Sequence, residues 1–176
     1  SLIAPANEVG YACYRNMQLT RCPESHRLEG ESFLASGLFK KSMACYGCFL
    51  GCSHFVEGRN RGYTEGIEFG TLNELTACGI ADPEVAIEYN RRCNQLGLDT
   101  FDTGHVIAFA MECFENGLLT KEDTDGVDLR FGSTDAFLTM VEWIARRIGL
   151  GEVLSQGLVP AAAAIGGGAM EYANHI

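Results

Sequence analysis

The residues best suited to chemistry are three cysteines in residues 45–52 (CYGCFLGC), which have the spacing C-x2-C-x3-C. Cys45, Cys48 and Cys52 fall within one short stretch, and glycines at 47 and 51 allow its backbone to bend closely around a metal centre. Thiolate sulfur is the usual ligand of iron–sulfur clusters, which are normally held by four cysteines. The stretch therefore predicts three ligands of one cluster, with the fourth supplied by another part of the protein.

Other interpretations of these cysteines stay open. A zinc ion could be held by the three thiols together with His54, as a Cys3His site. A disulfide framework suits small secreted domains, whereas these cysteines lie among apolar, helix-like segments and no secretion signal precedes them. Inert core thiols are a third possibility, because the chain has 8 cysteines in 176 residues. The tight spacing favours the cluster over zinc, and zinc over inert thiols.

Length and charge exclude several classes of protein. A chain of 176 residues predicts a single domain, here residues 1–176, and the net charge of −10 argues against a nucleic-acid binder or a protein that docks on anionic membranes. The longest apolar stretches, residues 106–111 and 158–165, are too short to span a bilayer. Because no targeting segment is evident, we expect a reducing cytoplasm, where clustered cysteines indicate metal or redox chemistry.

The chain begins at Ser1 without an initiator methionine, and we expect it to be a piece of a longer polypeptide. Residues 1–29 are predicted to be irregular. They concentrate positive charge at Arg15, Arg21, His26 and Arg27, which fits either an anionic ligand or, more simply, a solvated loop.

Apolar periodicity predicts an all-α domain of about seven helices, preceded by a loop-rich segment that carries the cysteines. The clearest helix begins at Asp82-Pro83, a capping carboxylate followed by proline, and ends at Gly97. The next helix is predicted to begin at Asp102 or Thr103. Residues 53–70 are predicted to be irregular. The remaining predicted helices cover residues 31–44, 71–77, 135–148, 151–156 and 160–165.

Two further side chains are candidates for chemistry. Glu68 lies in the glycine-flanked stretch 66–71 (GIEFGT), just before a predicted helix. It can act as a general acid or base, or simply as a carboxylate that stabilises a helix N-terminus. His105 falls in the first turn of a predicted helix, where a lone histidine is more often structural than functional.

The order and spacing of several motifs resemble the aldehyde:ferredoxin oxidoreductase family. The likeness runs over most of the chain, from Arg15-Asn16 through the cysteine loop to Asn94-x-x-Gly97-Leu98-Asp99. It continues through residues 103–104 (TG), 110–112 (AME), 117–120 (GLLT) and 151–157 (GEVLSQG). Members of this family are tungsten or molybdenum enzymes with a bis-pterin cofactor beside a [4Fe–4S] cluster.

The resemblance implies that this chain corresponds to the family's helical second domain. A β domain that cradles the pterins would precede it, and a third domain, carrying the fourth cluster cysteine, would follow. The family's D-x-x-G-L-D/C motif holds a pterin, which implies that role for Asn94, Gly97, Leu98 and Asp99. Asn94 stands where the motif has aspartate, so it can accept a hydrogen bond but brings no charge.

The resemblance also implies an oxidoreductase that acts on a small molecule with an aldehyde or related oxo group. Electrons would pass through the cluster to ferredoxin or a partner subunit, and Glu68 would be the catalytic carboxylate.

The family's E-Y-E-T stretch is EFGT here, so Gly70 stands where aldehyde-oxidising members have a second glutamate near the metal. A benzoyl-CoA-reductase-type relative is therefore an alternative. An alternative of another class is a zinc-stabilised helical interaction module.

Overall fold

The computed structural model describes residues 3–174, which form eight α-helices, two 3₁₀ helices and one small sheet. The helices are α1 Ile3–Glu8, α2 Gly30–Ala35, α3 Phe69–Ala77, α4 Pro83–Leu96, α5 Thr100–Glu115, α6 Thr134–Arg146, α7 Leu150–Leu154 and α8 Leu158–Ile165. The 3₁₀ helices are Ser25–Leu28 and Ala169–Tyr172. The strands are β1 Phe39–Met43, β2 Ser53–Glu57 and β3 Tyr63–Glu65. No helix in the described part is long and apolar enough to cross a membrane.

Helix α5 forms the centre of the core. Its residues from Val106 to Cys113 are all buried, because α3, α4, α6 and the C-terminal 3₁₀ helix pack around it. A helix that is apolar on every side is expected in the interior of a domain rather than at its surface. Tyr89 of α4 and Phe137 of α6 meet edge to face, with ring centroids 4.8 Å apart, and join those two helices to the same core.

The boundaries of α4, which local capping sets, agree with prediction. Asp82 Oδ1 accepts a hydrogen bond from Glu84 N at 2.9 Å, Pro83 follows as the first helical residue, and Gly97 ends α4 in the left-handed region with φ 71°. Helix α5 begins earlier than predicted, at Thr100, because Asp99 is its N-cap. Helices α6, α7 and α8 lie within one or two residues of their predicted positions.

The prediction of an all-α fold was wrong between residues 39 and 65, where the strands form an antiparallel sheet in the order β1-β2-β3. The helix predicted over residues 31–44 ends at Ala35, and Gly37, with φ 75°, turns the chain into β1. Strand β1 pairs Phe39 with Val56 and Met43 with Ser53. Residues 53–70 therefore contain two strands, and the fold is mostly helical rather than purely so.

The N-terminal segment is also more ordered than predicted, since it contains α1 and a tight left-handed turn. Arg15, Asn16 and Met17 have φ values of 50°, 49° and 66°. The side chain of Asn16 donates to Glu112 Oε2 at 2.5 Å and to the carbonyl of Tyr172 at 2.9 Å. This buried amide joins the N-terminal segment to α5 and to the C-terminal 3₁₀ helix, and it stabilises the unusual turn.

Polar contacts attach the sheet to α4. Asn90 Nδ2 donates to Thr64 Oγ1 and to the carbonyl of Glu65, both at 2.8 Å. Glu88, almost buried on α4, accepts hydrogen bonds from Arg61 and Arg92. Burial would raise the pKa of Glu88, but the two guanidinium groups outweigh that effect and hold it below its usual value. The sheet is thereby held in a defined position beside the helices.

Candidate metal and cofactor site

The three predicted cluster ligands lie on the exposed loop that joins β1 to β2. Within it, Cys48 N donates to the carbonyl of Cys45 at 3.0 Å, which closes a turn. Gly47 and Gly51 adopt φ values of 73° and 55°, a conformation that glycine takes without a side-chain penalty. All three cysteines are exposed to solvent. The sheet thus displays the loop at the surface.

The structure places these thiols on one loop but does not bring them together. Within residues 3–174, no three His, Cys, Asp or Glu side chains form a group that could hold a metal ion. His54, the fourth ligand of the zinc hypothesis, instead lies edge to face with Phe39, with ring centroids 5.6 Å apart. The donor chemistry still fits a cluster, because three accessible thiols on a glycine-containing loop can supply three of four ligands. The assignment of these ligands stays a prediction.

The other five cysteines lie in different surroundings. All eight are free, so the structure contains no disulfide framework. Burial raises the pKa of Cys93 to about 12 and that of Cys113 to about 12, and it raises the pKa of Cys78 well above its usual value. Thiols of this kind stay protonated and unreactive at neutral pH. Accessible cysteines in the part that the structure describes are therefore concentrated in the loop.

Glu68 occupies the N-cap position of α3 with an extended backbone, and its side chain makes no capping hydrogen bond. The carboxylate is exposed. Together with Cys52 and His54 it lines a largely apolar groove of about 390 Å³, whose walls include Phe33 and Phe69. The fold therefore brings the predicted catalytic carboxylate and one predicted cluster ligand to the same groove.

The predicted pterin-binding residues lie at the turn between α4 and α5. Asn94 is in the last turn of α4, and its amide is 3.4 Å from Thr64 Oγ1. Gly97 reverses the chain, and Leu98 N donates to the carbonyl of Cys93 at 2.9 Å. Asp99 Oδ1 accepts from Asp102 N at 2.8 Å, which makes it the cap of α5. Asp99 thus has a structural role, as the N-cap of α5, that was not predicted.

The starts of α3 and α5 are joined by residues that the sequence did not single out. Thr71 Oγ1 lies 3.1 Å from Thr100 Oγ1 and 3.3 Å from Asn90 Oδ1. Thr71 comes three residues after the N-cap Glu68, and Thr100 directly follows the N-cap Asp99. This proximity to an acidic N-cap is the one sequence signal that could have identified the two threonines. This contact positions Glu68 and Asp99 at two neighbouring helix N-termini, where backbone N–H groups and the helix dipole favour negative charge.

Comparison with known proteins yields one family match over the whole chain. The family model described as aldehyde ferredoxin oxidoreductase, domains 2 and 3, matches residues 1–176. Tungsten-containing aldehyde ferredoxin oxidoreductases of Pyrococcus furiosus and Thermococcus kodakarensis are each 35% identical to this chain over 158 residues. The match covers 89% of this chain and 26% of each relative, so the chain spans about a quarter of their length.

A solved structure shares the fold. It is the active site complex BamBC of benzoyl coenzyme A reductase in complex with 1,5-dienoyl-CoA. The superposition has a TM-score of 0.75 and 25% sequence identity, and it covers 92% of this chain and 24% of that one.

Proposed function

This chain belongs to the aldehyde ferredoxin oxidoreductase family, and we propose that it is the cluster-bearing part of a tungsten- or molybdenum-pterin oxidoreductase. The observation that carries the proposal is the groove that Cys52 shares with Glu68. A redox cofactor and an acid–base group have to lie near one another if electrons and protons are to reach the same substrate.

Three ligands of a [4Fe–4S] cluster would be Cys45, Cys48 and Cys52, with a fourth cysteine from another part of the protein. When bound, the cluster would pass single electrons between the pterin-bound metal and ferredoxin or an electron-transfer subunit. The loop itself would tune the reduction potential of the cluster and make the cluster accessible to an electron-transfer partner. Backbone N–H groups around Gly47 and Gly51 can donate to cluster sulfurs, and exposure of the loop lets a partner approach closely. Ligands that must remain thiolates suit the reducing cytoplasm.

Pterin binding would fall to the α4–α5 turn. Asp99 commits Oδ1 to the cap of α5, which leaves Oδ2 to accept hydrogen bonds from pterin N–H groups. Gly97, in the left-handed region, turns the chain so that Leu98 and Asp99 follow directly on the helix end. Asn94 would contribute a neutral amide.

Glu68 would bind and orient the substrate and exchange a proton with it. Its carboxylate is not used to cap α3, so it is available to a ligand in the groove. The substrate would be a small molecule with an aldehyde or related oxo group.

A benzoyl-CoA-reductase-type reaction is the second candidate. It is favoured by Gly70, which stands where the family motif has a second glutamate, and by the solved structure that shares this fold.

The proposal is tested on the full-length protein purified without oxygen. We expect a brown protein with iron, acid-labile sulfide and either tungsten or molybdenum, and an electron paramagnetic resonance signal after reduction. A colourless protein that contains only zinc would contradict the proposal and would favour the zinc-stabilised module instead.

A further inference from the structure

The loop between β1 and β2 exposes large apolar side chains among its cysteines. Residues 44–50 are all exposed. Within them, Tyr46 and Phe49 are almost completely exposed, and Leu50 is 69% exposed. Single apolar residues are common on protein surfaces, but three within one short loop form a patch of the kind that marks an interaction site. The function proposed above uses the cysteines of this loop and leaves its apolar side chains unexplained.

The charge of the stretch that carries the loop is opposite to that of the whole chain. Although the net charge is −10, none of the 23 acidic residues falls between Glu31 and Glu57, which is the longest such interval in the sequence. Two of the chain's three lysines, Lys40 and Lys41, lie in this interval, on the strand that leads into the loop. Both lysines are exposed. The loop therefore follows a basic strand in an otherwise acidic protein.

Contacts within the sheet hold both lysines beside the loop. Lys41 Nζ lies 5.6 Å from the centre of the Phe55 ring on β2, a cation–π contact that positions the charge without neutralising it. Lys40 Nζ lies 3.4 Å from Glu57 Oε2, and both of these side chains are about half exposed. Because an exposed ion pair contributes little to stability and is screened by salt, it can exchange for a contact with another carboxylate. Both ammonium groups are therefore available to a partner.

An apolar centre bordered by lysines is suited to the transient binding of an acidic protein. The apolar side chains lose water on contact and supply affinity, whereas the charges steer the encounter and fix its orientation. Ammonium groups are complementary to clustered carboxylates, so the surface favours a partner of opposite charge. The area that one loop and one strand offer suits the small interfaces of electron-transfer complexes.

We propose that Tyr46, Phe49 and Leu50, bordered by Lys40 and Lys41, form the docking surface for an acidic electron-transfer protein. The three apolar residues lie between the predicted cluster ligands along the loop, so a protein seated on them would lie next to those ligands. That the docked protein exchanges electrons with this one rests on the function proposed above. Docking itself requires the apolar and the charged side chains, not the cluster.

The test measures association of the full-length protein with an immobilised acidic ferredoxin by surface plasmon resonance at several ionic strengths. We expect an association rate constant that falls as salt rises, because screening weakens the attraction between lysines and carboxylates. At low salt, Lys40→Glu/Lys41→Glu should associate about 10-fold more slowly, the lower end of the range for electrostatic steering. The charge-matched control is Lys121→Glu/Arg130→Glu, at two exposed side chains between α5 and α6, and it should be slowed much less.

The apolar part of the surface is tested with Tyr46→Ala. The complex of this variant with the ferredoxin should dissociate about 5-fold faster, because truncation of a central aromatic side chain weakens an interface mainly through its dissociation rate. Tyr11→Ala is the matched control, since Tyr11 is an exposed tyrosine outside the loop, and its complex should dissociate as that of the unchanged protein does.

The inference is overturned if the ferredoxin does not bind, if both double variants associate at the same rate, or if the two tyrosine variants dissociate alike. It is also overturned if Tyr46→Ala changes the oligomeric state of the full-length protein, because the patch would then join copies of this chain. Destabilisation by Tyr46→Ala as large as that of a buried aromatic residue would show that the rest of the polypeptide covers the patch, and it would overturn the inference too.

Iron and sulfide are measured on the same samples. Absent or lysine-independent docking in a protein with intact iron would contradict this inference alone. Lysine-dependent docking in a protein without iron would contradict only the proposed function.

Discussion

Gly70 lies directly beneath Phe101: a Cβ atom placed on Gly70 would come within 3.2 Å of Phe101 Cδ2. Gly70 is in the first turn of α3, and Phe101 is in the first turn of α5. The space that a side chain at position 70 would enter is therefore occupied by the phenylalanine ring. Position 70 is also where the family motif has glutamate, so the two residues have to be considered as a pair.

The first prediction is that Gly70→Glu and Phe101→Ala are energetically coupled. Gly70→Glu alone should destabilise the protein, because Phe101 has to leave its place, and Phe101→Ala should relieve that cost. A double-mutant cycle on free energies of unfolding should give a coupling of about 0.5 to 3 kcal/mol. As a control, Gly70→Glu is combined with Phe114→Ala, at the far end of α5. The changes that these two substitutions cause in the free energy of unfolding should be additive. Additive behaviour of both pairs would show that the two residues do not interact.

The second prediction concerns Gly104, where α5 lies close against α3. A Cβ atom there would lie 2.4 Å from Glu74 Cβ and 3.0 Å from Tyr89 Oη. Gly104→Ala should therefore destabilise the protein by about 1 to 3 kcal/mol, as overpacking does, despite a helix-propensity gain of about 1 kcal/mol. Gly70→Ala is the matched control, and it should cost less because the half-exposed Phe101 can turn aside. If Gly104→Ala raised the melting temperature, the close approach of α3 and α5 would be disproved.

The third prediction separates the two roles of Asp99. Asparagine caps a helix as well as aspartate does, so Asp99→Asn should leave stability nearly unchanged, whereas Asp99→Ala should cost about 1 kcal/mol. Both variants should retain less pterin, because they lose the carboxylate that we propose accepts hydrogen bonds from pterin N–H groups. Pterin and tungsten or molybdenum content are measured after purification. Wild-type pterin content in Asp99→Asn would show that the carboxylate does not hold the cofactor.

The fourth prediction follows from the pair of Glu74 and His105, whose Oε2 and Nδ1 atoms lie 3.4 Å apart. The pKa of His105 is raised in the folded protein, chiefly by hydrogen bonding to Glu74, so the folded state binds the proton more tightly than the unfolded state. This contribution to stability is complete below the unfolded pKa of about 6.5 and is lost as pH rises through the folded pKa. In the His105→Gln variant, this decrease in the free energy of unfolding with rising pH should disappear. His26→Gln, at an exposed site, should not; equal profiles for both variants would refute the pairing.

Local signals explain which parts of the fold were predictable. The start of α4 at Asp82-Pro83 and its end at Gly97 depend on residues adjacent in sequence, and both were predicted correctly. The start of α5 was misplaced because two Asp-Thr pairs, at 99–100 and 102–103, give the same capping signal three residues apart. Only packing, here the contact of Thr100 with Thr71, selects the first pair.

The sheet and the groove could not be predicted in the same way. Phe33, Leu34, Leu38 and Phe39 have a spacing that fits a helix, and the pairing that makes Phe39 a strand residue involves Val56, far along the chain. The cysteine spacing pointed to the loop and the motif pointed to Glu68, and both assignments stay predictions. That Cys52 and Glu68 share a groove depends on how β2 and α3 pack, which no local pattern encodes.

The most direct test of the central claim is the iron and acid-labile sulfide content of the full-length Cys48→Ala protein, purified without oxygen beside the unchanged protein. Cys22→Ala, at a buried cysteine outside the loop, is the control. We predict that Cys48→Ala loses most of its iron and sulfide and its brown colour, because one of four cluster ligands is removed, while Cys22→Ala keeps them. Unchanged iron and sulfide in Cys48→Ala would contradict the claim that this loop holds the cluster.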